Sequence, residues 1–463
     1  VVGRSAIATE LGRPAELEVA AQRVQSLALD RIGRLTPVAV IGKVRKVLGT
    51  LIEGTVPNAS VGEQCEIFHP ARPQEGIRCE VVGFTEESVL LSPLVAIEGI
   101  SSVYLIRPLR CAHSVVVGPA LLGRILDGFG QPLDGRPPLQ PDGKSASAHL
   151  VMVEAPAPTA RPRIVQPFPT GVRAVDTLLS LGVGQRIGIL AAPGCGKTTL
   201  LAAMARGSEV DAIVLALIGE RGREVREFTE HEFEATLLKK TVIVCATSDR
   251  TSIERVRAAF TAMAVAEGLR DQGLRVLLMV DSLTRLARAQ REIGLAAGEP
   301  PARAGYPPSV YSLLPRLIER AGNFETGSIT AAFTILSDGE VRSDPISEEA
   351  ISLLDGHILL SRKLAEQGHY PAIDILASIS RVMSNIVGRK HINAAMHVRE
   401  ILAKYREIEL LLRLGEYKKG LDLAMDRVIE RHPHVVQLVR QDTRQPIPSR
   451  DGIQQLLAIA EAA

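Results

Sequence analysis

The 463-residue chain has no tryptophan, and phenylalanine and tyrosine together supply only 15 aromatic side chains. Proteins that hold single-stranded nucleic acid stack its bases on aromatic platforms, so this scarcity argues against that class while leaving room for one stacked adenine. An excess of positive charge is missing too: 54 lysines and arginines stand against 52 aspartates and glutamates, a net charge of +2. A protein whose affinity came from neutralising phosphates would carry a lopsided basic balance. Long apolar runs are absent. The longest, Ala212 to Ile218, is far below the roughly 18 residues needed to cross a bilayer, which excludes a membrane-spanning helix. Cysteine is sparse and odd in number, at positions 65, 79, 111, 195 and 245, with no CxxC spacing. That pattern argues against a disulfide framework or a zinc site and fits a reducing cytoplasm. No secretory signal follows Val1.

What is present is apolar content of 46%, enough for a large core, and length for about three average domains. Leu17, Ala20, Val24 and Leu27 recur at helical spacing, so residues 1–35 are predicted to be a helical segment with Gly33 as its stop. From Thr36 to Pro108 the chain breaks into short β-rich runs, including Pro37–Ile41, Gln64–Phe68 and Ser88–Leu91, separated by turns at Gly49, Gly54, Gly76 and Gly83. Short strands at that spacing predict a small barrel or sandwich. An oligonucleotide-binding barrel and an assembly domain are both readings of it, and the dearth of aromatics favours assembly. Residues 109–385 are assigned to one further domain, entered through a proline-rich connector at 137–169. Its apolar runs Gln185–Ala192, Ala212–Ile218, Val242–Ala246 and Arg275–Val280 each end where polar chemistry begins. Such runs suit a parallel sheet covered on both faces. Ile401, Tyr405, Ile408 and Leu412 then keep helical spacing, and residues 386–463 are expected to be a helical domain. The predicted fold class is α/β, a P-loop core with an amino-terminal small β-barrel and a carboxy-terminal helical domain.

The most specific signal is Ala191-Ala-Pro-Gly-Cys-Gly-Lys-Thr, directly after a predicted strand. Gly194 and Gly196 let backbone N–H groups wrap phosphate oxygens where Cβ atoms would obstruct. Lys197 reaches the β- and γ-phosphates, the Thr198 hydroxyl ligates Mg²⁺, and the helix opening at Lys197 adds its positive end. Ala191 stands where the usual motif has its first glycine. The candidate nucleotide cradle is therefore Ala192, Pro193, Gly194, Cys195, Gly196, Lys197, Thr198 and Thr199. Asp281, closing the run Val276–Val280, is either a carboxylate for Mg²⁺ or a capping residue between strand and helix. Glu220, at the end of Ala212–Ile218, is the choice for the group that orients and polarises attacking water. Arg221, Arg223 and Glu224 beside it also read as a surface ion network. Arg381, in Ser378-Ile-Ser-Arg, is on its own terms a salt-bridged structural arginine.

Longer runs carry more. Ala192-Pro-Gly-Cys-Gly-Lys-Thr-Thr, Leu217-Ile-Gly-Glu-Arg-Gly-Arg-Glu-Val-Arg-Glu-Phe, Asp281-Ser-Leu-Thr-Arg-Leu-Ala-Arg, Gly305-Tyr-Pro-Pro-Ser-Val and His369-Tyr-Pro-Ala-Ile-Asp-Ile together resemble the type III secretion ATPase family, relatives of the rotary ATP synthase catalytic subunit. The resemblance covers roughly residues 36–430. It implies a RecA-like ATP hydrolase using ATP and Mg²⁺, acting as a cytoplasmic homohexamer with the barrel as its collar. The implied partners are a stator or regulatory protein at the amino end, a central stalk protein, an export gate and effector–chaperone complexes, with peripheral membrane association only and no nucleic acid. It makes Glu220 the catalytic carboxylate and Asp281 the Mg²⁺-associated one. It also turns Arg381 into an arginine finger reaching a neighbouring subunit's site. Arg221 and Arg285 match positions around the γ-phosphate, and Tyr370 resembles a residue that stacks on adenine. The run Arg291-Glu-Ile-Gly-Leu-Ala-Ala-Gly-Glu-Pro-Pro and the Gly-Cys-Gly P-loop look more like the injectisome branch than the flagellar one. A rotary synthase subunit and a Rho-like RNA translocase are the remaining alternatives, and RNA-stimulated hydrolysis would mark the last.

Overall fold

The computed structural model describes residues 24–26, 28, 40–95, 97–143, 145–336, 344–420 and 422–461. The helix expected over residues 1–35 lies outside them, apart from the helical residues 24–26 and 28.

Six antiparallel strands form the first layer: β1 (Gly42–Leu48), β2 (Leu51–Thr55), β3 (Glu63–His69), β4 (Arg72–Phe84), β5 (Val89–Pro93) and β6 (Leu105–Ala112). They pair in the order β1-β2-β5-β4-β3-β6, and β6 returns to β1 to close a barrel. Side chains alternate along each strand, so Val44, Ile52, Ile67, Val81, Leu91 and Ile106 meet inside. Closure leaves no unpaired edge for another chain to extend. Of the expected strand Pro37–Ile41 only Val40 and Ile41 are among the described residues; both are exposed and precede the first strand, whose pairing with β6 begins at Gly42 and Lys43. At the other end β6 continues past Pro108, because Ala112 still pairs with Glu63.

The second layer is a largely parallel sheet. Its main strands are β7 (Arg186–Ala191), β8 (Ala212–Ile218), β9 (Thr241–Ala246), β10 (Arg275–Asp281), β11 (Ser328–Leu336) and β12 (Gly356–Leu360), arranged β12-β7-β11-β10-β8-β9. Residues Ile125–Leu126 extend the β9 edge, and Ile379–Ser380 runs antiparallel to β12 at the other. Every residue of β8 and β9 is buried, which is why those strands read as unbroken apolar runs. The central strand β11 escaped the sequence reading because Thr330 and Thr334 interrupt its apolar pattern; both are buried and hydrogen-bonded. The connector at 137–169 is extended where Ser147–Leu150 pairs with Ser114–Val117, but not throughout, since Pro158–Ala160 forms a 3-10 turn.

Helices α1 (Lys197–Gly207), α2 (Ser252–Asp271) and α3 (Leu283–Ala296) pack on the sheet. Thr251 caps α2 by accepting from the Glu254 N–H, and Ser282 caps α3 by accepting from the Arg285 N–H. Helix α2 is buried on nearly every side. Its Arg257 is paired with Glu80 of β4, a charge pair enclosed between barrel and sheet domain. The fully buried Arg320 is likewise satisfied, by Glu267 at 2.6 Å and the Val151 carbonyl at 2.7 Å.

Past residue 386 the described chain is helical: α4 (Arg389–Leu414), α5 (Leu423–Val439) and α6 (Ser449–Glu461). Helix α4 stops at Gly415, whose φ of 71° accommodates the left-handed turn that ends it. The Arg173 guanidinium donates to the carbonyls of Gln437, Leu438 and Arg440 at the end of α5, joining the helical layer to the sheet domain. Among the described residues no helix is long and apolar enough to cross a membrane.

Candidate active site

The carboxyl ends of β7, β8 and β10 point to one side of the sheet, the side on which α/β folds bind ligands. After Ala191 the chain turns through Ala192, Pro193, Gly194, Cys195 and Gly196 into α1. Gly194 and Gly196 have φ of 82° and 84°, a region that residues with a Cβ avoid. Cys195 between them turns inward and is 1% exposed, part of the core beneath the loop. Lys197, Thr198 and Thr199 form the first turn of α1, whose N–H groups have no helical acceptor and are available to an anion.

Glu220 follows β8 after Gly219, whose φ is 66°. A Cβ at Gly219 would press on the Arg285 side chain at 3.0 Å, so this glycine lets the arginine lie close to the strand end. Arg285 Nη2 donates to Glu220 Oε2 at 3.1 Å, and its Nε lies 2.9 Å from Oε1 without hydrogen-bond alignment. The Lys197 ammonium donates to Asp281 Oδ1 at 2.5 Å and lies 3.7 Å from Glu220 Oε1. Thr334 on β11 donates its hydroxyl to the same Asp281 oxygen at 2.7 Å. Two carboxylates and two cations thus meet in one cluster, and both carboxylates are almost fully buried.

Their environments differ in consequence. Burial raises the Glu220 carboxyl to about 7, helped by a hydrogen bond with Glu224 and by the Asp281 charge; Lys197 and Arg285 offset this only in part. A carboxyl near neutrality is suited to exchanging a proton with water at physiological pH. Glu220 Oε1 is buried without an aligned hydrogen bond, so an oxygen acceptor is left to face whatever enters the site. Thr198 and Asp281 are the hard oxygen donors that Mg²⁺ takes, beside N–H groups and an ammonium suited to phosphates, so the residues present fit a magnesium nucleotide.

The other predicted residues divide. The Tyr370 ring lies against the P-loop, its edge 3.5 Å from the place a Cβ on Gly196 would occupy, and 40% of the residue is exposed. Arg221 directly follows Glu220, with its backbone capping the short helix Gly222–Glu227. Arg381 is not brought to this site within the chain. It follows the edge strand Ile379–Ser380, its N–H bonds the Asp355 carbonyl, and its exposed guanidinium lies near the Ile351 carbonyl. Asp355 precedes β12, whose last residue Leu360 is level with Ala191. Five residues of strand, about 16 Å, therefore separate Arg381 from the P-loop end of the sheet. Among the described residues Arg381 has no salt bridge of the kind expected of a structural arginine. Thr334 was missed by sequence reading. The available signal was its place near the end of a strand lying between those that carry the P-loop and Asp281.

Comparison with known proteins adds an independent line. Residues 171–380 match the model of the ATP synthase alpha/beta family, nucleotide-binding domain, and residues 387–458 match the type III secretion EscN ATPase C-terminal domain. The type 3 secretion system ATPase of Pseudomonas syringae pv. syringae is 51% identical over 432 residues, covering 93% of this chain and 96% of that one. The flagellum-specific ATP synthase of Bacillus subtilis is 44% identical over 418 residues, 90% of this chain and 94% of that one. The assembled ATPase EscN of enteropathogenic E. coli superposes with a TM-score of 0.85 at 43% identity, over 90% of this chain and all of that one. The same ATPase in complex with its central stalk EscO gives 0.82, with the same identity and coverage.

Proposed function

The chain belongs to the type 3 secretion system ATPase family, and from that premise we propose how its residues hydrolyse ATP and what the hydrolysis serves. The reading rests above all on the meeting of Lys197, Glu220, Asp281 and Arg285 at the carboxyl ends of β7, β10 and β8, with β11 between the first two. The P-loop N–H groups and Lys197 hold the β- and γ-phosphates, while Thr198 and Asp281 hold Mg²⁺, which supplies charge neutralisation at the phosphates. Glu220, ionised at its raised pKa, orients the attacking water and accepts its proton. Arg285 and Arg221 keep positive charge beside the γ-phosphate, and Tyr370 stacks on the adenine.

Arg381 acts in trans. Its distance from its own P-loop and its exposure suit a guanidinium that completes a neighbour's site, where such fingers contribute about 10³ to 10⁵ in rate. A closed homohexamer gives every site one neighbour, with the barrels as a collar. A central stalk, as in the EscN–EscO complex, a regulatory stator protein at the amino end, the export gate and effector–chaperone complexes are the partners. The work is release, unfolding and export of effector proteins from the cytoplasmic face of the inner membrane. Flagellar export is the second reading, carried by the 44% identity to the Bacillus protein, and it uses the same chemistry.

The test is complementation. Glu220→Gln and Arg381→Ala are each expected to lose most turnover while still binding nucleotide. Mixed, they are expected to recover part of it at interfaces that pair an intact Glu220 with an intact Arg381. A fully active Arg381→Ala protein, with specific activity independent of concentration, would overturn the shared site.

A further inference from the structure

The connector between α5 and α6 is held on three sides. Arg206, in the last turn of the P-loop helix, donates to the Thr443 carbonyl at 2.8 Å. Ile447 donates its N–H to the Gly171 carbonyl at 3.0 Å. The approach is close: a Cβ on Gly171 would fall 2.7 Å from Gly207 and 2.9 Å from Pro446. On the third side the Arg440 guanidinium donates to the Gly368 carbonyl at 3.1 Å, and the Gln441 N–H donates to the Tyr370 carbonyl at 2.9 Å. That last bond grips the residue whose ring lies on Gly196.

The Gln441 side chain fixes where that N–H points. Its Oε1 accepts from the Arg173 N–H at 2.8 Å, while its Nε2 donates to the Gly171 carbonyl at 2.8 Å and the Gln445 carbonyl at 2.7 Å. Both amide hydrogens and the amide oxygen are committed, which leaves one orientation for the group. We infer that Gln441 is a positioning residue for nucleotide recognition: anchored on the 171–173 turn, it holds Tyr370 against the P-loop and makes the carboxy-terminal helical domain part of the base site. This rests on the reading of Tyr370 as the base-stacking residue. A ligand with a base therefore senses where the helical domain sits, whereas one made only of phosphate does not.

The test compares ADP with inorganic pyrophosphate, each with Mg²⁺, binding to the full chain. Gln441→Glu keeps the size of the side chain but sets a carboxylate oxygen against two carbonyls, and Gln441→Leu removes the polar group. Both are expected to weaken ADP about five- to thirtyfold, within what base–aromatic stacking supplies, and to leave pyrophosphate unchanged. In a Tyr370→Ala background, itself weakened for ADP alone, neither should cost more. Wild-type ADP affinity in both Gln441 variants, with Tyr370→Ala weakened, would overturn the role of Gln441 and spare that of Tyr370. Wild-type affinity in Tyr370→Ala would remove both. Equal losses for ADP and pyrophosphate would mean general loosening of the domain and would also overturn the inference.

Discussion

The Glu220 carboxyl, raised to about 7, makes a quantitative demand on the pH profile. At pH 6 about 9% of sites carry the carboxylate and at pH 8 about 91%, so kcat/KM, which reports the free enzyme, rises about tenfold between them. An ordinary glutamate, already about 97% ionised at pH 6, would give a flat profile. The informative perturbation is Glu224→Ala. Burial is the largest cause of the shift and survives the substitution, but the hydrogen bond with Glu224, the next largest, favours the protonated form and is lost. The acid limb then moves to lower pH, and the ratio between pH 8 and pH 6 falls below tenfold. The assay is phosphate release at subsaturating ATP with Mg²⁺ in excess, at a protein concentration that keeps the oligomer intact. A flat wild-type profile between pH 6 and 8, or a limb that moves to higher pH in Glu224→Ala, would refute the reasoning. The same shift bears on stability with the opposite sense. Because the folded pKa lies above the unfolded value, the stabilisation from Glu220 is complete below about 4.5 and lost as pH rises through about 7.

Thr334→Val keeps the side-chain shape but takes a hydroxyl from Asp281, a hydrogen bond to a charged group contributing about 1.5–3 kcal/mol. The Mg²⁺ concentration for half-maximal nucleotide binding is expected to rise about tenfold, with Thr334→Ser restoring it; an unchanged midpoint refutes the role. Arg320→Ala strands the buried Glu267 and is expected to cost about 3–5 kcal/mol in urea denaturation, against near-zero cost for Arg362→Ala in an exposed pair.

What the sequence made legible was chemistry held by short stretches of backbone. Gly194, Gly196 and Lys197 fall within one turn, and Asp281 and Glu220 each close an apolar run, so local pattern suffices to find them. Arg285, Tyr370 and Arg381 came only from resemblance, because nothing in their neighbourhoods distinguishes them from other arginines and tyrosines. Arg381 illustrates the limit most clearly: the role proposed for it, on another copy, would leave no trace in its own chain's pattern. The strand carrying Thr334 went unread because buried hydroxyls imitate a polar alternation, and Gln441 lies in a polar connector whose anchors are some 270 residues away in sequence. Val40 and Ile41 show the converse error, β-forming residue types that stand just outside the first strand.

In the cluster at the strand ends, Lys197 is already committed to Asp281 and Glu220. On the proposed reading, a phosphate arriving there would not meet a bare ammonium; it would trade places with a carboxylate, with little net change in local charge pairing. The exchange runs both ways. When product leaves, the carboxylates would be there to pair with the lysine again, so departure would strand no unpaired charge in a buried place. Part of the attraction for phosphate would be forgone in this way, in exchange for easier release of product.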